Sequence, residues 1–110
     1  TSRDFTYVDN AVLLNELGLF TENKHALNQV YNGACGDQIS LNDMVSMLEG
    51  ISGKKVKVTH GPERPGDVRH SKANIGKAGQ LLGYAPEVKF TKGLEKVYIW
   101  YKENVHATPK

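Results

Sequence analysis

Glu63-Arg64-Pro65-Gly66-Asp67-Val68-Arg69-His70-Ser71 is the most constrained run in the chain, and the other segments read as scaffold around it. Pro65 and Gly66 suit the two central positions of a type II turn: proline pre-sets φ at the first, and glycine accepts the positive φ of the second. Such a turn brings its ends, Arg64 and Asp67, to within about 7 Å at Cα. A guanidinium offers a planar fork of donors matched to phosphate oxygens, and an ionised aspartate is an acceptor matched to a pair of sugar hydroxyls. The run therefore admits two readings. Arg64 and Asp67 either act together on one ligand, or bridge each other across an exposed turn, as surface ion pairs often do.

Working outward, the chain is one domain at most, since 110 residues allow a single modest core. Hydrophobic residues at 39% and charged residues at 24% are ordinary for a globular fold and exclude a disordered one. A formal net charge of +2 is too small to argue for nucleic acid, and the lysines are scattered apart from Lys54, Lys55 and Lys57. A lone cysteine, Cys35, excludes an internal disulfide framework and fits a reducing cytoplasm. No apolar run reaches membrane-spanning length, and no signal-peptide pattern is present. Arg3-Asp4-Phe5 already reads as the inside of a fold, so the chain is expected to be the back end of something longer.

Residues 1–8 read as a short extended segment. Asp9 is the expected N-cap of an amphipathic helix from Asn10 to about Thr21, with Leu13, Leu14, Leu17 and Phe20 on one face. Leu27 to Ala34 reads as a buried strand ended by Gly33 and Gly36. Ser40 and Asp43 form a capping-box-like start for a helix closed by Gly53. Val56 and Val58, alternating with lysines and Thr59, read as a strand with one buried face. Asn74 is the expected cap of a helix closed by Gly83, and Thr91 that of a last helix with Leu94, Val97, Tyr98 and Tyr101 on one face. Residues 104–110 read as a frayed tail. The expected class is α/β, with mostly helices and two or three short strands. The helices carry more apolar surface than so few strands can cover, which points to a missing partner domain.

Other candidate chemistry is weaker. Cys35 near Asp37 could be a nucleophile with His25, His60 or His70 as base, but a buried thiol at a glycine-bounded strand end is the better reading. The four histidines form no metal-ligand spacing. Gly33-Ala34-Cys35-Gly36 lacks the spacing of a phosphate-binding loop. Tyr98, Trp100 and Tyr101 read as core and cover rather than a stacking platform. Arg3 stands out, because it could join Arg64 in a cationic clamp for a diphosphate, with Asp67 beside it. Charge alone does not bring the three together.

Three runs occur in a distinctive order: Ser2-Arg3-Asp4-Phe5-Thr6-Tyr7-Val8-Asp9-Asn10; Tyr31-Asn32 with Ala34-Cys35-Gly36-Asp37; and Arg64-Pro65-Gly66-Asp67-Val68-Arg69-His70-Ser71. Lys77-Ala78, Leu81-Leu82-Gly83-Tyr84 with Pro86, Gly93-Leu94 and Trp100-Tyr101 continue it. Together they resemble the C-terminal part of the extended short-chain dehydrogenase/reductase family, most closely its nucleotide-sugar 4-epimerases acting on UDP-N-acetylhexosamines. The resemblance covers nearly the whole chain.

It implies that residues 1–110 are a substrate-binding portion whose NAD-binding Rossmann half lies outside this chain. By the same resemblance Arg3 and Arg64 bind the UDP diphosphate, Asp67 takes the uridine ribose hydroxyls, and Ser71 borders the hexose pocket. A small residue at that last position admits N-acetyl sugars. The implied activity is interconversion of UDP-N-acetylglucosamine and UDP-N-acetylgalactosamine, or of UDP-glucose and UDP-galactose, through an NAD-dependent 4-keto intermediate. The family's Gly-rich dinucleotide loop and catalytic Tyr-x-x-x-Lys pair lie upstream of this region, so no catalytic, cofactor-binding or metal-binding residue is assigned here. The partners implied are a UDP-sugar, the Rossmann half and a homodimer mate, with neither nucleic acid nor membrane. Alternatives are a sugar-nucleotide 4,6-dehydratase or decarboxylase, and a non-catalytic nucleotide-sugar binding module. Asn74 stands where the family usually has Asp, and Gly33 where a β-branched residue is common; the glycine is expected to weaken its strand.

Overall fold

The computed structural model describes residues 1–105. In chain order it contains β1 (Ser2–Arg3), α1 (Val8–Phe20), a single 3-10 turn (Lys24–Ala26), β2 (Ile39–Ser40), α2 (Leu41–Ser52), α3 (Gly76–Leu82) and α4 (Phe90–Asn104). The expected class is met: mostly helices, with two short strands. α1 packs on α3, and α2 packs on α4.

β1 is the centre of the only extended pairing among the described residues. On one side it runs antiparallel to β2, with Ser2 opposite Ser40 and Arg3 opposite Ile39. On the other, Ser2 forms a parallel bridge with His70. There the Ser2 N–H donates to Arg69 O at 2.9 Å, and the Ser71 N–H donates to Ser2 O at 3.0 Å. The candidate loop is thus stitched directly to the residue preceding Arg3.

Several helix ends follow the expected chemistry. Ser40 Oγ accepts from the Asp43 N–H at 3.0 Å, and Gly53 closes α2 at φ 70°. Gly83 closes α3 at φ 69°, and there the Tyr84 N–H donates to Ala78 O at 3.2 Å. Others differ by a residue or two. α1 begins at Val8, with Tyr7 at the cap position, so Asp9 sits in the first turn, where its charge meets the positive end of the helix. Ile75 occupies the α3 cap position, while Asn74 Oδ1 accepts from the Gly76 N–H at 2.9 Å. α4 begins at Phe90 behind Lys89, and Thr91 lies inside its first turn. α4 runs through Asn104, the first residue of the expected tail, and residues 106–110 lie outside the described residues.

Two expected strands do not form. Between Leu27 and Ala34 no partner strand lies alongside, Asn28 takes a left-handed φ of 56°, and Val30 is 85% exposed. Apolar β-formers without a ladder have nothing to hold them extended. Residues 54–59 are likewise unpaired: Val56 and Val58 are exposed, and the Val56 N–H goes to Glu49 Oε2 at 3.1 Å. Gly33 therefore weakens no strand. Its bare Cα instead leaves room for the tip of Leu14, which a Cβ would strike.

The core is thin. Its buried apolar members are Ala26, Ala34, Cys35, Ala78 and Tyr84, while Val12, Leu19, Phe20, Trp100 and Tyr101 are exposed. The radius of gyration is 17.1 Å, against about 13 Å for a compact domain of this length. Two polar side chains bind the pieces. Buried Asn10 accepts from the Glu87 and Val88 N–H groups at 3.0 Å each and donates to Val88 O at 2.7 Å. Asp4 accepts from the N–H groups of Cys35 (3.1 Å), Gly36 (2.9 Å) and Ala73 (3.3 Å).

Candidate functional site

The turn at residues 64–67 has the expected geometry. Gly66 takes φ 78°, and the Asp67 N–H donates to Arg64 O at 3.1 Å. The turn lies in a segment, 54–69, that has no helix or strand and is exposed throughout. Its far end is anchored to β1 through Arg69, His70 and Ser71.

Arg3 emerges from β1 beneath this turn. Its Nη1 donates to Ser2 O at 2.7 Å and to Arg69 O at 3.3 Å, which aims the guanidinium plane. Its Nη2 donates to Asp67 Oδ1 at 2.9 Å. Arg64 Nη2 lies 3.8 Å from the other carboxylate oxygen, Asp67 Oδ2. Arg3, Arg64 and Asp67 therefore converge, with one carboxylate facing two guanidinium groups and a net local charge of one positive unit. The close ion pair is not the one between the two ends of the turn. Arg64 remains 83% exposed and only grazes Asp67, whereas Arg3 is 28% exposed and holds it. The bridge between Arg64 and Asp67 is present but loose, and exposed pairs at that distance contribute little.

Ser71 lies at the same edge, its N–H on Ser2 O and its side chain exposed. Beyond it, Asp4 pins Ala73 to Gly36 and so sets the path of residues 71–74. Two further relationships had no signal in the linear sequence. Buried Ser2 shares a hydrogen bond of 2.7 Å between its Oγ and His70 Nδ1. Glu63 Oε1 accepts from Arg69 at 2.6 Å, which bridges the two flanks of the turn.

Cys35 is buried, with Asn10 Nδ2 at 3.5 Å and Val88 O at 3.7 Å from its sulfur. Burial, reinforced by the nearby Asp4 charge, pushes its pKa up, so it stays a thiol, the reverse of what a nucleophile requires. No group of three His, Cys, Asp or Glu side chains among the described residues could hold a metal ion. Nor is any helix of the described residues long and apolar enough to cross a membrane. The sheet of the described residues has two strands, and no Gly-rich turn leads from it into a helix. A Tyr-x-x-x-Lys spacing does occur at Tyr98 and Lys102, within α4. It carries no catalytic assignment.

No protein-family model matches the chain. It is 33% identical over 105 residues to the UDP-glucuronate 4-epimerase of Thermodesulfobacterium geofontis, covering 94% of this chain and 31% of that one. The fold matches the UDP-glucuronic acid 4-epimerase of Bacillus cereus, solved with UDP-glucuronic acid and NAD, at TM-score 0.85 and 37% identity. That match covers 93% of this chain and 32% of the other. The UDP-glucose 4-epimerase of Thermotoga maritima, solved with UDP-glucose, matches at TM-score 0.84 and 30% identity, covering 96% and 33%. The chain thus spans about a third of the length of the relatives it matches, and its fold corresponds to their C-terminal portion.

Proposed function

We propose that this chain is the C-terminal, nucleotide-sugar-binding portion of an NAD-dependent 4-epimerase of the extended short-chain dehydrogenase/reductase family. The observation that carries the reading is the meeting of Arg3, Arg64 and Asp67 at one edge of β1. In this reading the two arginines grip the diphosphate of a UDP-sugar, Asp67 accepts from the ribose hydroxyls, and Ser71 borders the hexose. Binding energy from these non-reacting groups orients the sugar for chemistry carried out elsewhere in the longer protein. NAD and the catalytic groups belong to that remainder, and no reaction step is assigned to this chain.

Two sugars have support. The UDP-glucuronate 4-epimerases among the similar proteins favour a UDP-hexuronate. The small side chain of Ser71 favours a UDP-N-acetylhexosamine, since a bulky residue at that place would crowd the N-acetyl group. The shared part, UDP, is tested by calorimetric titration of the chain. Arg3→Gln and Arg64→Gln are each expected to weaken UDP binding about tenfold or more, the usual weight of a hydrogen bond to a charged group. Unchanged UDP affinity in both variants overturns the reading.

A further inference from the structure

Resting on the reading that this edge grips a nucleoside diphosphate, we propose that Asp67 is a selectivity gate: it holds Arg3 against free phosphates and releases it to a ligand that carries a vicinal diol.

Both carboxylate oxygens of Asp67 already face a guanidinium, Oδ1 at 2.9 Å from Arg3 and Oδ2 at 3.8 Å from Arg64. The hydrogen bond from the Asp67 N–H to Arg64 O and the left-handed Gly66 fix the backbone of the turn, which keeps the carboxylate within a side chain's reach of Arg3. A phosphate that takes Arg3 Nη2 displaces Asp67 and then sits beside it. Like charges a few ångströms apart repel strongly, more so here, where Arg3 and Asp67 are each about one-third exposed. Pyrophosphate has nothing to offer the displaced carboxylate. A nucleoside diphosphate does: its ribose hydroxyls donate to the freed oxygens, and hydroxyl-to-carboxylate bonds are among the stronger neutral-to-ion contacts. Selectivity then arises from a penalty against the wrong ligand as well as contacts to the right one.

The test compares UDP, 2′,3′-dideoxy-UDP and inorganic pyrophosphate on the wild-type chain and on Asp67→Asn, by calorimetry at fixed ionic strength. Wild type is expected to bind UDP most tightly and to lose about tenfold or more with the dideoxy ligand, which needs no variant to read. In Asp67→Asn, pyrophosphate binding is expected to tighten about tenfold, and the preference for UDP over pyrophosphate to fall about tenfold with the loss of the ribose contact. Pyrophosphate binding that is unchanged or weaker in Asp67→Asn, with wild type still preferring UDP, overturns the gate and leaves the grip standing. Wild type that binds no UDP while its helical circular dichroism is intact overturns the grip, and the gate with it.

Discussion

Asn10 and Val88 hold each other at two points: the Asn10 side chain accepts from the Val88 N–H at 3.0 Å and donates to the Val88 carbonyl at 2.7 Å. The asparagine amide thereby imitates a strand partner for the segment that leads into α4. Because Asn10 is 1% exposed, no water replaces it. Asn10→Ala is expected to destabilise the fold by about 3 kcal/mol, from several buried backbone groups left unpaired. Asn10→Asp keeps the accepting oxygen and loses the donor, so it is expected to recover part of its loss as pH falls and the carboxyl protonates. Urea denaturation at several pH values reads both.

Asp4 gathers three N–H groups from two separate segments. Asp4→Asn weakens these charge-assisted bonds and is expected to cost about 1–2 kcal/mol. Amide hydrogen exchange should speed up at Cys35, Gly36 and Ala73 well before it does within α2.

Cys35 and Tyr84 both have raised pKa values, in each case mainly through burial. Above the ordinary values of 9.0 and 10.0, the unfolded chain has released protons that the folded chain keeps. Their contribution to stability is therefore full below about pH 9 and falls as pH rises beyond it. Cys35→Ala is expected to make this alkaline decline shallower, measured as Tm against pH.

Gly93 is buried where α4 meets Tyr7, and a Cβ there would lie 3.0 Å from Tyr7 Cβ, the rigid stem of that side chain. Gly93→Val is expected to cost about 1–3 kcal/mol by forcing the helix outward. Gly33→Ala meets only the movable tip of Leu14 and is expected to cost less than about 1 kcal/mol. Equal losses in thermal unfolding would contradict this picture.

Ser71→Tyr tests the sugar. In the longer enzyme that this reading implies, the substitution is expected to depress turnover of UDP-N-acetylhexosamines about tenfold relative to UDP-hexoses. A parallel change for both sugar types would remove Ser71 from the hexose pocket.

The helices were readable because their signals are local. Ser40 with Asp43, Gly53 and Gly83 each act within a few residues of themselves, and the structure uses all of them at α2 and α3. The strands were not readable, because a strand is defined by its partner. Val30, Val56 and Val58 have strand-forming side chains and no neighbour, whereas Ile39–Ser40 pairs on the strength of Ser2–Arg3, far away in the chain. The turn chemistry of Pro65 and Gly66 placed Arg64 beside Asp67. The close bond from Arg3 to Asp67 is a product of tertiary pairing, and no local pattern contains it.

The position of Ser2 between residues 39–41 and 69–71 bears on the order in which the chain folds. Its partners lie far along the chain, so closing those contacts carries the entropic cost of long loops, while α1, α2 and α4 can form from neighbours alone. Ser2 precedes both sets of partners in the chain, yet it would take up its final neighbours last. The edge on which Arg3 and Asp67 meet therefore forms after the helices, so a partly folded chain would have helical structure but no Arg3–Asp67 contact.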